Sequence, residues 1–196
     1  MPVHMSLQPL RALPWLGAAV LGAAVAWPAA AQQVLPAQSE ISFVSKQMGV
    51  PVEGKFKQWT AQITFDPKKP ESGKVGFTVQ TGSASFGSAE TDAEVPKAAW
   101  FNVAKFPQAS FQSETIKALG AGKFEVRGKL AIKGANHDVL VPVSVSQAGA
   151  ASTAVGSFTI KRLDFKIGDG EWADTSMVAN DVTVKFKLAL SGMAPL

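Results

Sequence analysis

Beyond residue 31 the chain carries one histidine, His137, two arginines, Arg127 and Arg162, and no cysteine. That inventory narrows the available chemistry. The common zinc and copper sites need several His or Cys ligands, so no metal site is expected. A Ser-His-Asp hydrolase would have to use His137, and no G-x-S-x-G elbow accompanies it. His137 borders a tight turn and reads as a solvated turn residue. The densest carboxylate group is Asp169, Glu171 and Asp174, in one short loop. Such a trio can bind calcium or run a hydrolysis, yet an acidic loop reads first as solvated surface. No glycine-rich phosphate loop of the P-loop or dinucleotide type is found. The chain therefore reads as non-enzymatic, with no resident cofactor.

Binding is better supplied. All twelve phenylalanines lie beyond residue 31, with Trp59, Trp100 and Trp172 and no tyrosine. These aromatics have no phenolic hydroxyls, so an interior built from them suits a hydrocarbon chain, whose burial gains about 0.8 kcal/mol per methylene. The candidate lining of an internal channel is Phe43, Phe56, Phe77, Phe111, Phe158 and Trp172, with Trp100 and Phe101 at a helical cover. A buried tail leaves its polar end at the mouth, where a cation would meet it. Arg127 sits in mid-strand and is expected to face out. Arg162 lies at a strand end, beside Asp164, and has two readings: an ion pair with that or another carboxylate, or a head-group contact.

The elements that must position these residues are mostly strands. Alternating apolar and polar residues mark 40–45, the stretch after Pro107, 123–133, 137–147, 155–160 and 181–190. Val52 to Phe65 reads as one long strand or a pair of pieces, and 74–80 alternates again. Gly134-Ala135-Asn136 is expected to close a hairpin, and 148–152 to be a small-residue linker. Thr91 and Glu94 have capping-box spacing, which predicts a helical turn there and another over 97–103. About eight antiparallel strands with one short helical insertion predict an all-β domain, either a sandwich or an up-and-down barrel. An eight-stranded closed barrel is wide enough to hold one small ligand. Glycines at 54, 76, 128 and 156 interrupt strand patterns, and mark either barrel corners or space for a ligand.

Residues 1–31 read as a secretory leader, with Arg11, an apolar run from Ala12 to Trp27, and Ala29-Ala30-Ala31 before the expected cleavage. The apolar run falls short of the roughly 20 residues that span a bilayer. The barrel domain is then 32–196, exported to a bacterial periplasm. The formal net charge is +4, with basic residues scattered rather than clustered, which argues against nucleic acid as a partner.

Several segments, in order, resemble the YceI family of periplasmic lipocalin-like proteins. They are Ser39 to Phe43, Gly54-Lys55-Phe56, Phe65-Asp66-Pro67, Trp100 to Pro107, Phe111-Gln112-Ser113, Gly128 to Gly134, Arg162 to Phe165 and Gly170-Glu171-Trp172. The resemblance implies an extended eight-stranded antiparallel barrel with a helical insertion and an apolar channel. It also implies binding of a polyisoprenoid lipid, such as a prenyl or quinone tail. Some members are induced by base or osmotic stress, and some accompany inner-membrane b-type cytochromes, which would make such a cytochrome a partner. Two positions depart from the family pattern: Gln38 replaces the usual histidine, and Glu90-Thr91-Asp92 replaces an Arg-Asp pair.

Overall fold

The structure, a computed structural model, describes residues 31–196. The expected leader, apart from Ala31, lies outside the described residues. In chain order the elements are β1 (Gln33–Val34), β2 (Glu40–Gln47), β3 (Val50–Phe56), β4 (Trp59–Thr64), β5 (Lys74–Gln80), β6 (Ala84–Ser85), α1 (Ala89–Glu94), β7 (Gln108–Gly120), β8 (Lys123–Ile132), β9 (Ala135–Ala148), β10 (Ala151–Lys161) and β11 (Asp181–Ser191). All strand pairs are antiparallel, in the order β4-β5-β7-β8-β9-β10-β11-β2-β3-β6, with β1 extending the outer side of β11 beyond β2.

The long strands form where the sequence alternates. On β8, Phe124, Val126, Leu130 and Ile132 are buried while Arg127 and Lys129 between them are exposed. The β8–β9 hairpin turns on Lys133 and Gly134, whose φ values of 47° and 79° give a two-residue connection with both centres left-handed. The turn is thus one residue earlier than the sequence suggested. The expected linker at 148–152 is instead the tight end of the β9–β10 hairpin, and β10 already begins at Ala151.

Val52 to Phe65 resolves into a pair of strands with a decisive break. The chain leaves β3 at Phe56, passes through Lys57 and Gln58, and begins β4 at the opposite end of the strand order. Among the described residues no ladder joins β3 to β4. The sheet curls until β4 comes back towards the other end of the order, leaving a seam that main-chain bonds close at two places. At one end of the seam Gln32 closes the gap: its main-chain N–H donates to Ile63 O at 2.9 Å, and its Oε1 accepts from Phe65 N at 2.7 Å. At the other end, Lys57 N donates to Ser83 O at 3.1 Å and Gln80 N to Gln58 O at 3.0 Å.

The helical insertion covers one pole. Helix α1 starts at Ala89, with Ser88 as its N-cap accepting from Thr91 N at 3.4 Å. The expected cap at Thr91 is therefore displaced by one turn, because Ser88 already supplies the hydroxyl that the free N–H groups need. Asp92 instead folds back, accepting from Phe86 N at 2.6 Å and Ser85 Oγ at 2.8 Å. These bonds hold its carboxyl below the usual carboxylate range, the Phe86 N–H contributing most. Residues 97–103 form hydrogen-bonded turns rather than helix, with Asn102 in the left-handed region at φ 49°.

The interior is two apolar clusters stacked along the barrel. Beneath the helical cover, Phe43, Phe101, Phe165 and Ile167 centre one cluster; towards the opposite pole, Phe65, Ile116, Phe124, Leu188 and Leu190 centre the other. Phe111, Val139 and Phe158 touch both.

Candidate functional site: an apolar lumen

The strand glycines explain how the lumen stays open. A β-carbon on Gly54 would stand 2.7 Å from Cε2 of Phe43, one on Gly128 2.7 Å from Cζ of Phe111, and one on Gly156 2.6 Å from Cε1 of Phe186. The space beside each of these glycines is filled by a neighbouring side chain and is not open to a ligand. Each is a seat for a ring carried by the adjacent strand, so the ring lies along the wall instead of across the barrel. Gly76 is occupied similarly, by the Gln112 amide.

Below the level of Phe111 and Phe158 lies a cavity of about 150 Å³, walled by Phe65, Ile116, Phe124, Val141, Leu188 and Leu190 among others. Every residue of its lining is apolar except Ser110, and no titratable side chain reaches it. An apolar cavity of this size stays dry and accepts an apolar guest of about benzene size.

Of the residues singled out from the sequence, Phe77, Phe111 and Phe158 stand in this wall. Phe43, Phe56 and Phe101 do not; they pack beneath the helical cover, with Phe43 5.1 Å from both Phe56 and Phe86 and Phe56 6.0 Å from Phe101, centre to centre. Trp100 and Trp172 pack against each other with tilted rings, 5.4 Å between centres, outside the cavity lining, and Trp172 is 38% exposed. The wall also holds Phe65 and Phe124, which the alternation already marks as an inward and an apolar strand position, and Phe186, which sequence reasoning passed over. The last could have been found from Gly156, its direct partner across β10 and β11.

Arg162 is 2% exposed, and its environment is all backbone. Nε donates to Ala179 O at 3.1 Å, Nη1 to Ile167 O at 2.9 Å and Gly168 O at 2.5 Å, and Nη2 to Trp172 O at 2.7 Å and Val178 O at 2.8 Å. All five donors of the guanidinium are committed, none to Asp164. Burial lowers its pKa from the ordinary arginine value. The side chain ties the 162–179 loop to the end of β10 and has no donor left for a head group.

Lys133 is the second buried cation, 7% exposed, donating to Ala99 O at 3.2 Å and Lys166 O at 2.5 Å. Burial pulls its ammonium below the usual lysine range, opposed by Asp169 at 3.7 Å. His137 is exposed, its Nε2 3.0 Å from Asp164 O and its ring edge-on to Phe165 at 4.8 Å. The acidic loop does not converge: Asp169 faces Lys133, whereas Asp174 accepts from Ser176 N and Oγ at 2.8 and 2.7 Å. Among the described residues no cluster of His, Asp or Glu is arranged to hold a metal ion.

A curled antiparallel sheet around an apolar lumen, with a small helical cover, defines a lipocalin-like binding barrel. The sequence profile of the YceI-like domain matches residues 33–190, and the chain belongs to that family. A UPF0312 protein of Azotobacter vinelandii is 33% identical over 130 residues, covering 64% of this chain and 67% of the relative. The crystal structure of Burkholderia cenocepacia BcnA superposes with a TM-score of 0.78 at 44% identity, covering 80% of this chain and 99% of that one. A polyisoprenoid-binding domain from Saccharophagus degradans, implicated in plant cell wall breakdown, shares the fold with a TM-score of 0.66 at 16% identity, over 84% of this chain and 98% of that one.

Proposed function

We propose that this protein is a non-enzymatic carrier that holds the apolar tail of an isoprenoid lipid in its lumen, and that it works in the periplasm. The observation that carries this is the lining itself: a continuous wall from eight strands, apolar except for Ser110 and without charge. The binding described for the Saccharophagus degradans domain supports the choice of an isoprenoid over other chains. The leader-like residues 1–31 support export.

The 150 Å³ space matches about one isoprene unit. A longer tail extends towards the helical cover by displacing Phe111 and Phe158, the rings that join the two clusters. Native mass spectrometry of protein purified from its host tests the reading. A co-purifying mass in the isoprenoid series supports it; an adduct-free protein that also fails to take up added prenol contradicts it.

A further inference from the structure

The residues that line the cavity sit on laddered strands, with two exceptions, Phe65 and Met193. Phe65 is fixed, its N–H bonded to Gln32 and its ring edge-on to Phe124 at 5.0 Å. Met193 belongs to the segment 192–196, which follows β11 and has no strand partner among the described residues.

The chain leaves β11 at Ser191, and Gly192, at φ 79°, turns it across the pole opposite the helical cover. The Met193 side chain packs on the apolar cluster of that pole, while Gly192, Pro195 and Leu196 are exposed. Passing the end of β10, the segment reaches β9, where one side chain holds it. Gln147 Nε2 donates to Ala194 O at 2.9 Å, and Gln147 Oε1 accepts from Leu196 N at 2.9 Å. Leu196 ends beside the β7–β8 turn, its Cδ1 3.8 Å from where a β-carbon on Gly122 would stand. The segment is a strap across the rim, latched at Gln147, with Met193 turned to the cavity.

Strap and strands differ in what opening them breaks. Parting two strands breaks a ladder. Lifting the strap breaks, among the described residues, the two bonds to Gln147 and the apolar contacts of Met193. Chain ends held this way open locally far more readily than the interior of a sheet. Gln147 Nε2 also donates to Ser152 Oγ at 3.1 Å, so the latch keeps a partner when the strap leaves. The unbranched thioether of Met193 is suited to moving aside and repacking.

We infer that residues 192–196 are the door of the lumen: an isoprenoid tail enters and leaves past Met193 when the strap lifts off Gln147. The inference rests on the tail-binding reading above. It directs the far end of the tail towards the helical cover and leaves the polar head at the strap's rim, away from Arg162.

Stopped-flow mixing with farnesol tests it on the wild-type protein, on a chain ending at Ser191, on Gln147→Leu and on Ser88→Ala. The last loosens the cap of α1 at the opposite pole, and thermal melting controls for folding. The chain ending at Ser191 and Gln147→Leu are expected to speed association and dissociation together by about tenfold, with affinity changed less than about threefold, because a latch is removed from both directions of one passage. Ser88→Ala is expected to leave both rates unchanged. Should the shortened chain not melt cooperatively, Gln147→Leu, which keeps Met193, decides alone. Unchanged rates in the strap variants overturn the inference while leaving tail binding intact. Weaker affinity with unchanged association overturns it too, by making Met193 wall and not door. Equal speeding by Ser88→Ala overturns it by assigning the effect to general loosening of the barrel. Failure of the wild-type protein to bind farnesol overturns the tail reading itself.

Discussion

The ring of Phe186 rests on Gly156, its directly opposite partner on the neighbouring strand, so that any β-carbon at 156 would collide with it and with Pro142 O at 2.7 Å. The same seat recurs at Gly54 under Phe43 and at Gly128 under Phe111. Two of these rings, Phe111 and Phe186, lie along the cavity wall, and Phe43 lies under the helical cover, because three neighbouring positions have no side chain. The lumen is in that sense a product of glycine placement.

Gly156→Ala should therefore push Phe186 inward. Overpacking of this kind costs about 1–3 kcal/mol, measurable as a shift in urea midpoint. Uptake of a small apolar guest should fall with it. Gly156→Ala combined with Phe186→Leu should recover most of the stability, since the shorter side chain clears the added methyl. A single variant as stable as wild type would show that the ring does not need its seat.

Arg162→Met should be among the most damaging substitutions in the barrel. It leaves the carbonyls of Ala179, Ile167, Gly168, Trp172 and Val178 without their donor. Each unsatisfied buried group costs on the order of 1–3 kcal/mol. Relaxation of the loop recovers part of that, so a net loss of about 4 kcal/mol or failure to fold is expected. Arg162→Lys should rescue poorly, because an ammonium cannot reach five acceptors in a plane. Any variant that folds should bind prenol and prenyl phosphate in the wild-type ratio.

Asp92 supplies a pH dependence. Its folded pKa is depressed by the bonds from Phe86 N and Ser85 Oγ, so the stabilisation is present above the unfolded carboxyl value of about 4 and is lost as pH falls through the folded value. Thermal melts should show Asp92→Asn less stable than wild type near neutral pH, with the gap closing below about pH 4. A gap that stays constant with pH would mean that the carboxylate charge contributes nothing.

The barrel was legible because β8, β9 and β11 alternate strictly, and alternation is what a half-buried strand requires. The seam was harder to see. Val52 to Phe65 reads as one long strand or a pair of pieces, and only tertiary closure decides that β3 and β4 sit at opposite ends of the strand order. Period two also gives two faces without saying which points inward, so Phe77, Phe111 and Phe158 belong to the wall as expected while Phe43 and Phe56 do not, and Phe186 was overlooked. Arg162 was seen as a cation seeking an anion. Its actual partners are main-chain carbonyls, which carry no signature in the sequence.

The most direct test of the central claim is a calorimetric titration with prenols of one, two and three isoprene units. If the lumen holds the tail, each added unit should tighten binding by about tenfold or more, a fraction of the full transfer energy of its five carbons once ring displacement is deducted. Association should also show the negative heat-capacity change of apolar burial. Affinity independent of chain length, with no heat-capacity change, would contradict tail binding in the lumen.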